Sequence, residues 1–292
     1  MTVRQGRGVL CAVLAAAFYA LNAPLSKLLL GRVAPAMMAA FLYLGAGLGM
    51  CLWLFVTRKS RARTEQPLTR RDLPYTVGMI VLDVAAPIAL MTGVARTSAA
   101  SASLLNNFEI VATSLIALIL FKEAISKRLW LGIFLVTLSS VLLSAQDIRA
   151  VSLSAGSLYV LLACVCWGFE NNCTRRLSEK DPMEIVAVKG IFSGLGALIV
   201  AFVCGAALPD ALSIVLALLL GFVAYGLSIL FYIYAQRSLG AAKTSAYYAV
   251  APFIGVALSL ALFREIPSGW FIAALIVMIA GTWCVTTAES PA

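Results

Sequence analysis

The sequence predicts an all-α integral membrane protein. It reads as ten transmembrane helices arranged as two inverted five-helix repeats, residues 1–148 and 149–292. Three observations carry this: an apolar composition, ten apolar runs of spanning length, and a likeness between the two halves. Of 292 residues, 62% are hydrophobic and 12% charged, with mean hydropathy +0.98. A soluble domain holds about 45–50% apolar and about 25% charged residues. A water-soluble fold of this composition exposes apolar patches that soluble monomers avoid, and disordered chains are poor in apolar residues. A helical span takes about 20 apolar residues, so the length accommodates ten spans joined by short loops.

The runs cover 8–30, 34–57, 72–95, 98–121, 126–146, 153–174, 183–206, 211–236, 240–263 and 267–287. The first follows Arg4 and Arg7, as a signal peptide would. It nevertheless reaches the length of a span and has a counterpart later in the chain. Runs two and seven hold the pairs Gly45/Gly49 and Gly190/Gly194, whose spacing lets helix backbones approach closely, within one chain or between two copies. Gly45-x-Gly47-x-Gly49 follows no strand, so it is no nucleotide fingerprint. Run three carries Asp83 on a stripe with Thr76 and Pro87, and proline there frees a backbone carbonyl. Run four carries Ser103, Asn106, Asn107 and Glu109; run six, Trp167 and Glu170; run seven, Lys189. Tyr225, Ser228, Tyr232 and Gln236 share a face of run eight, and Ser245, Tyr247, Tyr248 and Pro252 lie in run nine. Trp53, Trp130, Trp270 and Trp283 suit an interfacial belt.

Charge placement tests the count. The net charge is +9, from 22 basic and 13 acidic residues with no histidine. With the N-terminus in the cytoplasm and ten crossings, sixteen Lys and Arg fall on the inside and five on the outside: Lys27, Arg32, Arg96, Arg149 and Arg264. Cytoplasmic loops collect basic residues, so both termini are placed in the cytoplasm, in a bacterial inner membrane. The same excess is a poor fit to nucleic acid, because there is no basic tail or recognition helix. The seven cysteines lie in or at the ends of apolar runs, where they suit helix packing rather than a disulfide framework. Without histidine there is no His-based triad or zinc protease, and no phosphate-binding loop is present. No enzyme activity, metal or cofactor is expected, and transport would run on gradients.

The halves repeat. Gly8–Leu29 aligns without gaps on Gly156–Leu177, setting Tyr19 on Trp167, Asn22 on Glu170 and Lys27 on Arg175. Ala99-Ala100-x-x-Ser103 aligns on Ala241-Ala242-x-x-Ser245, and Phe121-Lys122-Glu123 on Phe263-Arg264-Glu265 at the same offset. A five-span unit has odd parity, so its copy sits upside down in the bilayer. Inverted repeats of this kind rock around a midplane site in membrane transporters.

With the aromatic-small pairs Tyr19-Ala20 and Trp167-Gly168 and the twice-used A-A-x-x-S…F-[KR]-E pattern, the chain resembles the drug/metabolite transporter superfamily over about residues 8–287. Each half resembles one EamA-type unit. The general likeness extends to bacterial amino-acid exporters of that superfamily, aromatic amino-acid exporters among them. The resemblance implies export of amino acids, metabolites or cationic drugs from the cytoplasm. The mismatch of Tyr19-Ala20 with Trp167-Gly168 implies two non-equivalent entrances.

Polar groups at lipid depth are expensive and are functional candidates by default. Tyr19, Asn22, Asp83, Asn106, Glu109, Trp167, Glu170, Lys189 and Tyr248 are therefore the candidate substrate-binding residues. Asp83 or Glu109 would meet an amino acid's ammonium, Asn106 or Lys189 its carboxylate, and the aromatic rings its side chain. Interhelical hydrogen bonds are the competing role for the asparagines. A structural ion pair is the competing role for Glu170 and Lys189, with Glu184 the other potential partner. A lipophilic-cation exporter, and from another class a membrane enzyme or lipid-handling scaffold, are the alternatives. The expected partners are a small-molecule substrate and the bilayer, with a homo-oligomer left open.

Overall fold

The structure, a computed structural model, describes residues 3–57, 66–121, 126–144, 154–239, 244, 247–264 and 266–287. Among the described residues the regular elements are helical, and β pairing is confined to an isolated parallel bridge between Gln66 and Lys180. Among the described residues five stretches are long and apolar enough to cross a membrane: Gly6–Leu29, Pro35–Val56, Arg70–Arg96, Pro182–Val203 and Ala211–Ala235. Ala251–Phe263 and Gly269–Cys284 are shorter apolar helices. Helix α8 (Ala155–Leu177) has the length of a span, but Glu170, Asn171 and Asn172 make its C-terminal half polar.

Three runs that read as continuous are interrupted. The first splits at Leu21 into α1 (Val3–Ala20) and α2 (Asn22–Leu29). Pro24 has no N–H, and its ring crowds the carbonyl four residues earlier, that of Ala20. The fourth splits at Asn106-Asn107 into α5 (Ala99–Leu105) and α6 (Phe108–Phe121). Here the Asn107 N–H turns back to the Leu104 carbonyl at 3.2 Å instead of continuing the four-residue ladder. Asparagine competes locally for backbone groups and favours such breaks. The eighth is α10 (Ala211–Gly221), a π turn at Phe222–Leu227, then α11 (Ser228–Leu239). By contrast Pro87 lies inside α4 (Leu73–Arg96) without ending it. The remaining helices are α3 (Pro35–Thr57), α7 (Lys127–Ser144), α9 (Pro182–Val203), α12 (Ala251–Phe263) and α13 (Gly269–Thr286).

The packing inverts that of a soluble protein. Small side chains such as Ala15, Ala39, Ala40, Ala163, Ala197 and Ala274 are fully buried, while Phe55, Val203 and Ile276 stand exposed at 77%, 82% and 62%. Lipid is as apolar as leucine, so helices associate through close packing of small residues. Helix α3 crosses α9, α4 lies on α8, α11 on α1, α6 on α8, α12 on α1, and α7 on α13. At the α3–α9 crossing Gly47 faces Gly190: a Cβ built on Gly47 would stand 2.4 Å from the Ile191 backbone nitrogen. Gly45 faces Leu218 of α10, and Gly194 faces Leu44. These glycines are therefore used between helices of one chain. Trp53, Trp130, Trp270 and Trp283 are all exposed on the outer surface, whereas Trp167 is 6% exposed.

The helix ends are tied at both sides. Lys27 Nζ of α2 donates to the carbonyls of Val94, Ala95 and Thr97 at 2.6, 3.1 and 2.6 Å, capping the end of α4. At the opposite ends, residues 66–72 are strapped to 180–184. Asp181 N–H donates to Gln66 O at 2.9 Å, Leu68 N–H to Glu184 Oε2 at 3.0 Å, and Lys180 pairs with Asp72 at 3.5 Å. Arg237 adds a bond to the Lys180 carbonyl at 2.6 Å. Of the closing pattern, Lys122, Glu123, Ala241, Ala242, Ser245 and Glu265 lie outside the described residues.

Candidate functional site

The polar residues of the apolar runs converge. Asp83 on α4, Glu170 on α8 and Lys189 on α9 meet in a buried cluster, 0%, 2% and 5% exposed. Lys189 Nζ lies 3.0 Å from Asp83 Oδ2 and 2.9 Å from Glu170 Oε1. Asp83 Oδ1 accepts from Tyr43 OH at 2.7 Å and from Trp167 Nε1 at 3.3 Å. Thr174 Oγ1, one turn along α8, also donates to Glu170 Oε1. Every one of these side chains projects from a long helix packed on two or more others, so their positions are set by helix crossings.

An aromatic cage adjoins the cluster. Tyr19 sets its ring edge-on to Trp167, with centroids 6.4 Å apart and planes at 77°. It also meets Tyr225 at 6.1 Å and Tyr248 at 5.9 Å. Tyr225 stacks edge-on to Tyr43 at 5.0 Å, and Tyr232 to Tyr248 at 4.9 Å. Edge-to-face pairs in this range are favourable beyond their buried area. Asn22, at the split between α1 and α2, donates to Tyr225 OH at 3.2 Å and accepts from Ser26 at 3.0 Å. Tyr225 falls in the π turn, and its ring belongs to the cage.

Glu109 is half-buried beside the cage, in the first turn of α6. Its Oε1 accepts from Asn171 Nδ2 at 2.7 Å. Among the described residues no cation lies within ion-pair distance of Glu109. Asn106 lies behind the cage, where the Cys164 thiol points at its carbonyl at 3.8 Å and at that of Leu105 at 3.6 Å. Asn107 and Ser103 are buried with side-chain polar atoms that find no partner among the described residues, and the same holds for Asp83 Oδ2 as a hydrogen-bond acceptor.

The nine candidate residues thus fall into one region, and of the two expected partners of Lys189 the structure selects Glu170. Lys189 pairs with Glu170, while Glu184 caps the strap through Leu68. Asp83, expected to meet an ammonium, is taken up by Lys189, Tyr43 and Trp167. Sequence reasoning missed Tyr43, which stands in an otherwise apolar run, and Asn171 and Thr174, which belong to the polar half of α8 that Glu170 already marked.

The EamA-like transporter family model matches this chain twice, over residues 6–145 and 154–287. The chain belongs to the EamA-like transporter family. It is therefore a multi-pass membrane transporter of the drug/metabolite superfamily, and not an enzyme. An uncharacterised transporter of Methanothermobacter thermautotrophicus is 26% identical over 90% of this chain and 81% of its own length. The uncharacterised transporter YyaM of Bacillus subtilis is 23% identical over 87% of this chain and 86% of its own length. A crystal structure of another protein superposes with a TM-score of 0.70 at 16% identity, over 96% of this chain and 95% of that one, a likeness of fold.

Proposed function

We propose that this EamA-like protein exports amino acids, aromatic ones included, from the bacterial cytoplasm by alternating access. The single observation carrying the reading is a carboxylate, Glu109, that has no cation among the described residues and lies beside a cage of four half-buried or buried rings, Tyr19, Trp167, Tyr225 and Tyr248. A substrate ammonium would pair with Glu109, and an aromatic side chain would enter among the rings, whose faces also attract cations. Ser103 and Asn107, near the α5–α6 break, hold donors that no described residue uses and that a carboxylate could take.

Alternating access is supported by the way contacts exchange under the repeat. If α1 and α2 correspond to α8, α3 to α9, α4 to α10 and α11, and α6 to α12, then the α4–α8 contact maps on α11–α1 and α6–α8 maps on α12–α1. The α3–α9 contact maps on itself. The strap has a counterpart too: Arg32 precedes Lys180 by the same offset that relates Gly8 to Gly156, and Asp210 caps α10 as Asp72 precedes α4. Ten spans in two inverted units, with both termini cytoplasmic, follow from this reading.

Export of lipophilic cations is the second reading. It is favoured by Lys189, which two carboxylates already neutralise, so it is not free to take a substrate carboxylate. Counterflow of labelled phenylalanine in proteoliposomes, with unlabelled phenylethylamine as competitor, separates the two. Phenylalanine flux that phenylethylamine inhibits only weakly supports amino-acid export. Equal or stronger inhibition by the amine selects the cation reading, and no flux of any amino acid rejects the first.

A further inference from the structure

Two buried oxygens at the helix breaks are left over by the pairings above. Pro24 has no N–H to offer the Ala20 carbonyl at the end of α1, and no described residue donates to that carbonyl. Ala20 is 5% exposed and Ser103 of α5 is 3% exposed. The Ser103 hydroxyl has no hydrogen-bond partner among the described residues. The two oxygens face one spot: a Cβ built on Gly255 of α12 would stand 2.8 Å from Ser103 Oγ and 3.3 Å from Ala20 O. Asn107, one turn after Ser103, is 1% exposed and leaves both polar atoms of its carboxamide unpartnered among the described residues. At lipid depth a lone carbonyl, hydroxyl or carboxamide is costly, because no bulk water is there to satisfy it.

We propose that Ala20 O, Ser103 Oγ and Asn107 Oδ1 form a site for one small monovalent cation, such as Na+. The local field selects a cation. The carbonyl end of α1 carries the negative pole of its helix dipole. Glu109, two residues beyond Asn107, adds a carboxylate that has no cation among the described residues. The three oxygens are hard and neutral, and no three Asp, Glu, Cys or His side chains gather among the described residues. That set suits a monovalent ion, whereas a divalent one draws on carboxylates. Carbonyls freed where transmembrane helices are interrupted are the usual ligands of alkali ions in membrane transporters. Gly255 supplies the room, since any side chain there would press on both Ser103 and Ala20. The site adjoins the aromatic cage through Tyr19, the residue before Ala20. Coordination uses oxygen lone pairs, so the Ser103 O–H and Asn107 Nδ2 stay available to a substrate carboxylate, which would share the ion. That coupling to substrate rests on the transport reading above; the ion site does not.

Thermal unfolding of the purified full chain in detergent, with NaCl replacing choline chloride at constant ionic strength, tests the site without any substrate. The wild-type midpoint should rise with Na+ and saturate, as binding to the folded state alone requires. Ser103→Ala should raise the half-saturating Na+ concentration at least about tenfold, a loss that even indirect partners of a metal site bring. Ser139→Ala removes a buried hydroxyl already bonded to Ala274 O at 2.6 Å and should leave the Na+ response intact. No saturable Na+ effect in the wild type, or an unchanged half-saturation in Ser103→Ala, overturns the proposal and leaves water as the occupant. Should Ser103→Ala fail to fold, Asn107→Ala decides in the same assay: a weakened response supports the site, an unchanged one overturns it. Phenylalanine counterflow in Na+ and in choline then reads the coupling. Faster flux in Na+ supports it, and equal flux overturns the coupling alone. No flux in either overturns the transport reading and leaves the midpoint shift as evidence for the ion site.

Discussion

Replacing Lys189 by methionine removes the positive charge that pairs with Asp83 and Glu170 and strands two carboxylates. Nζ makes contacts of 3.0 Å to Asp83 and 2.9 Å to Glu170. Methionine keeps the length of the stem, so packing changes little and the electrostatic term dominates. Breaking a buried pair by deleting one partner costs about 3–5 kcal/mol. Two partners are lost here, which sets the expectation at the upper part of that range. Part of the cost is avoidable, because a stranded carboxylate can be neutralised by substitution. Adding Glu170→Gln to Lys189→Met should recover about 1–3 kcal/mol, a coupling of the size seen for residues in one network. The remaining Asp83 still has Tyr43 and Trp167 as donors. The assay is thermal unfolding of the purified proteins in one detergent. Lys189→Met should lower the midpoint by on the order of 10 °C, and the double variant should lie between it and the wild type. An unchanged midpoint for Lys189→Met, or a double variant no better than the single one, refutes the reasoning.

Other perturbations have equally definite outcomes. At the α3–α9 crossing, Gly47→Ala sets a Cβ 2.4 Å from the Ile191 nitrogen and 2.7 Å from the Gly190 carbonyl carbon. Backbone cannot yield locally, so the helices must part and stability should fall by about 1–3 kcal/mol; Gly31→Ala, whose nearest neighbour is 4.0 Å away, should be close to neutral in the same unfolding assay. Lys27→Met leaves three carbonyls at the end of α4 without their cation and should cost about 1–3 kcal/mol, read the same way. Asp210 accepts from the Ser213 hydroxyl and N–H, which with the charge of Arg32 hold its carboxyl below the usual range. Its contribution is thus present above the ordinary carboxylate range and lost as pH falls through the lowered value. The midpoint difference between wild type and Asp210→Ala should shrink with falling pH, and a constant difference would contradict the assignment.

Much of the site was legible because charge at lipid depth is rare. Asp83, Glu170 and Lys189 stand out in apolar runs, and all three prove to be one cluster. The alignment of Tyr19 on Trp167 named two residues whose rings meet. Pairing was harder to read, since contacts between helices depend on crossing geometry that sequence spacing does not carry. Tyr43 looks like any buried ring until its hydroxyl is seen on Asp83. The helix break at Asn106-Asn107 and the π turn at Tyr225 were hidden for a related reason. Hydrophobicity averaged over a span reports burial, while a break is decided by one or two backbone hydrogen bonds.

The alternation of the two halves is tested most directly at the strap. Cysteines at Gln66 and Lys180, the bridge partners, in a background without the seven native cysteines, can be joined by a disulfide across the two halves. Oxidised protein in liposomes should lose phenylalanine flux and regain it on reduction, with the single-cysteine proteins unaffected. Undiminished flux through fully cross-linked protein would mean that these helix ends never part, and would contradict alternating access.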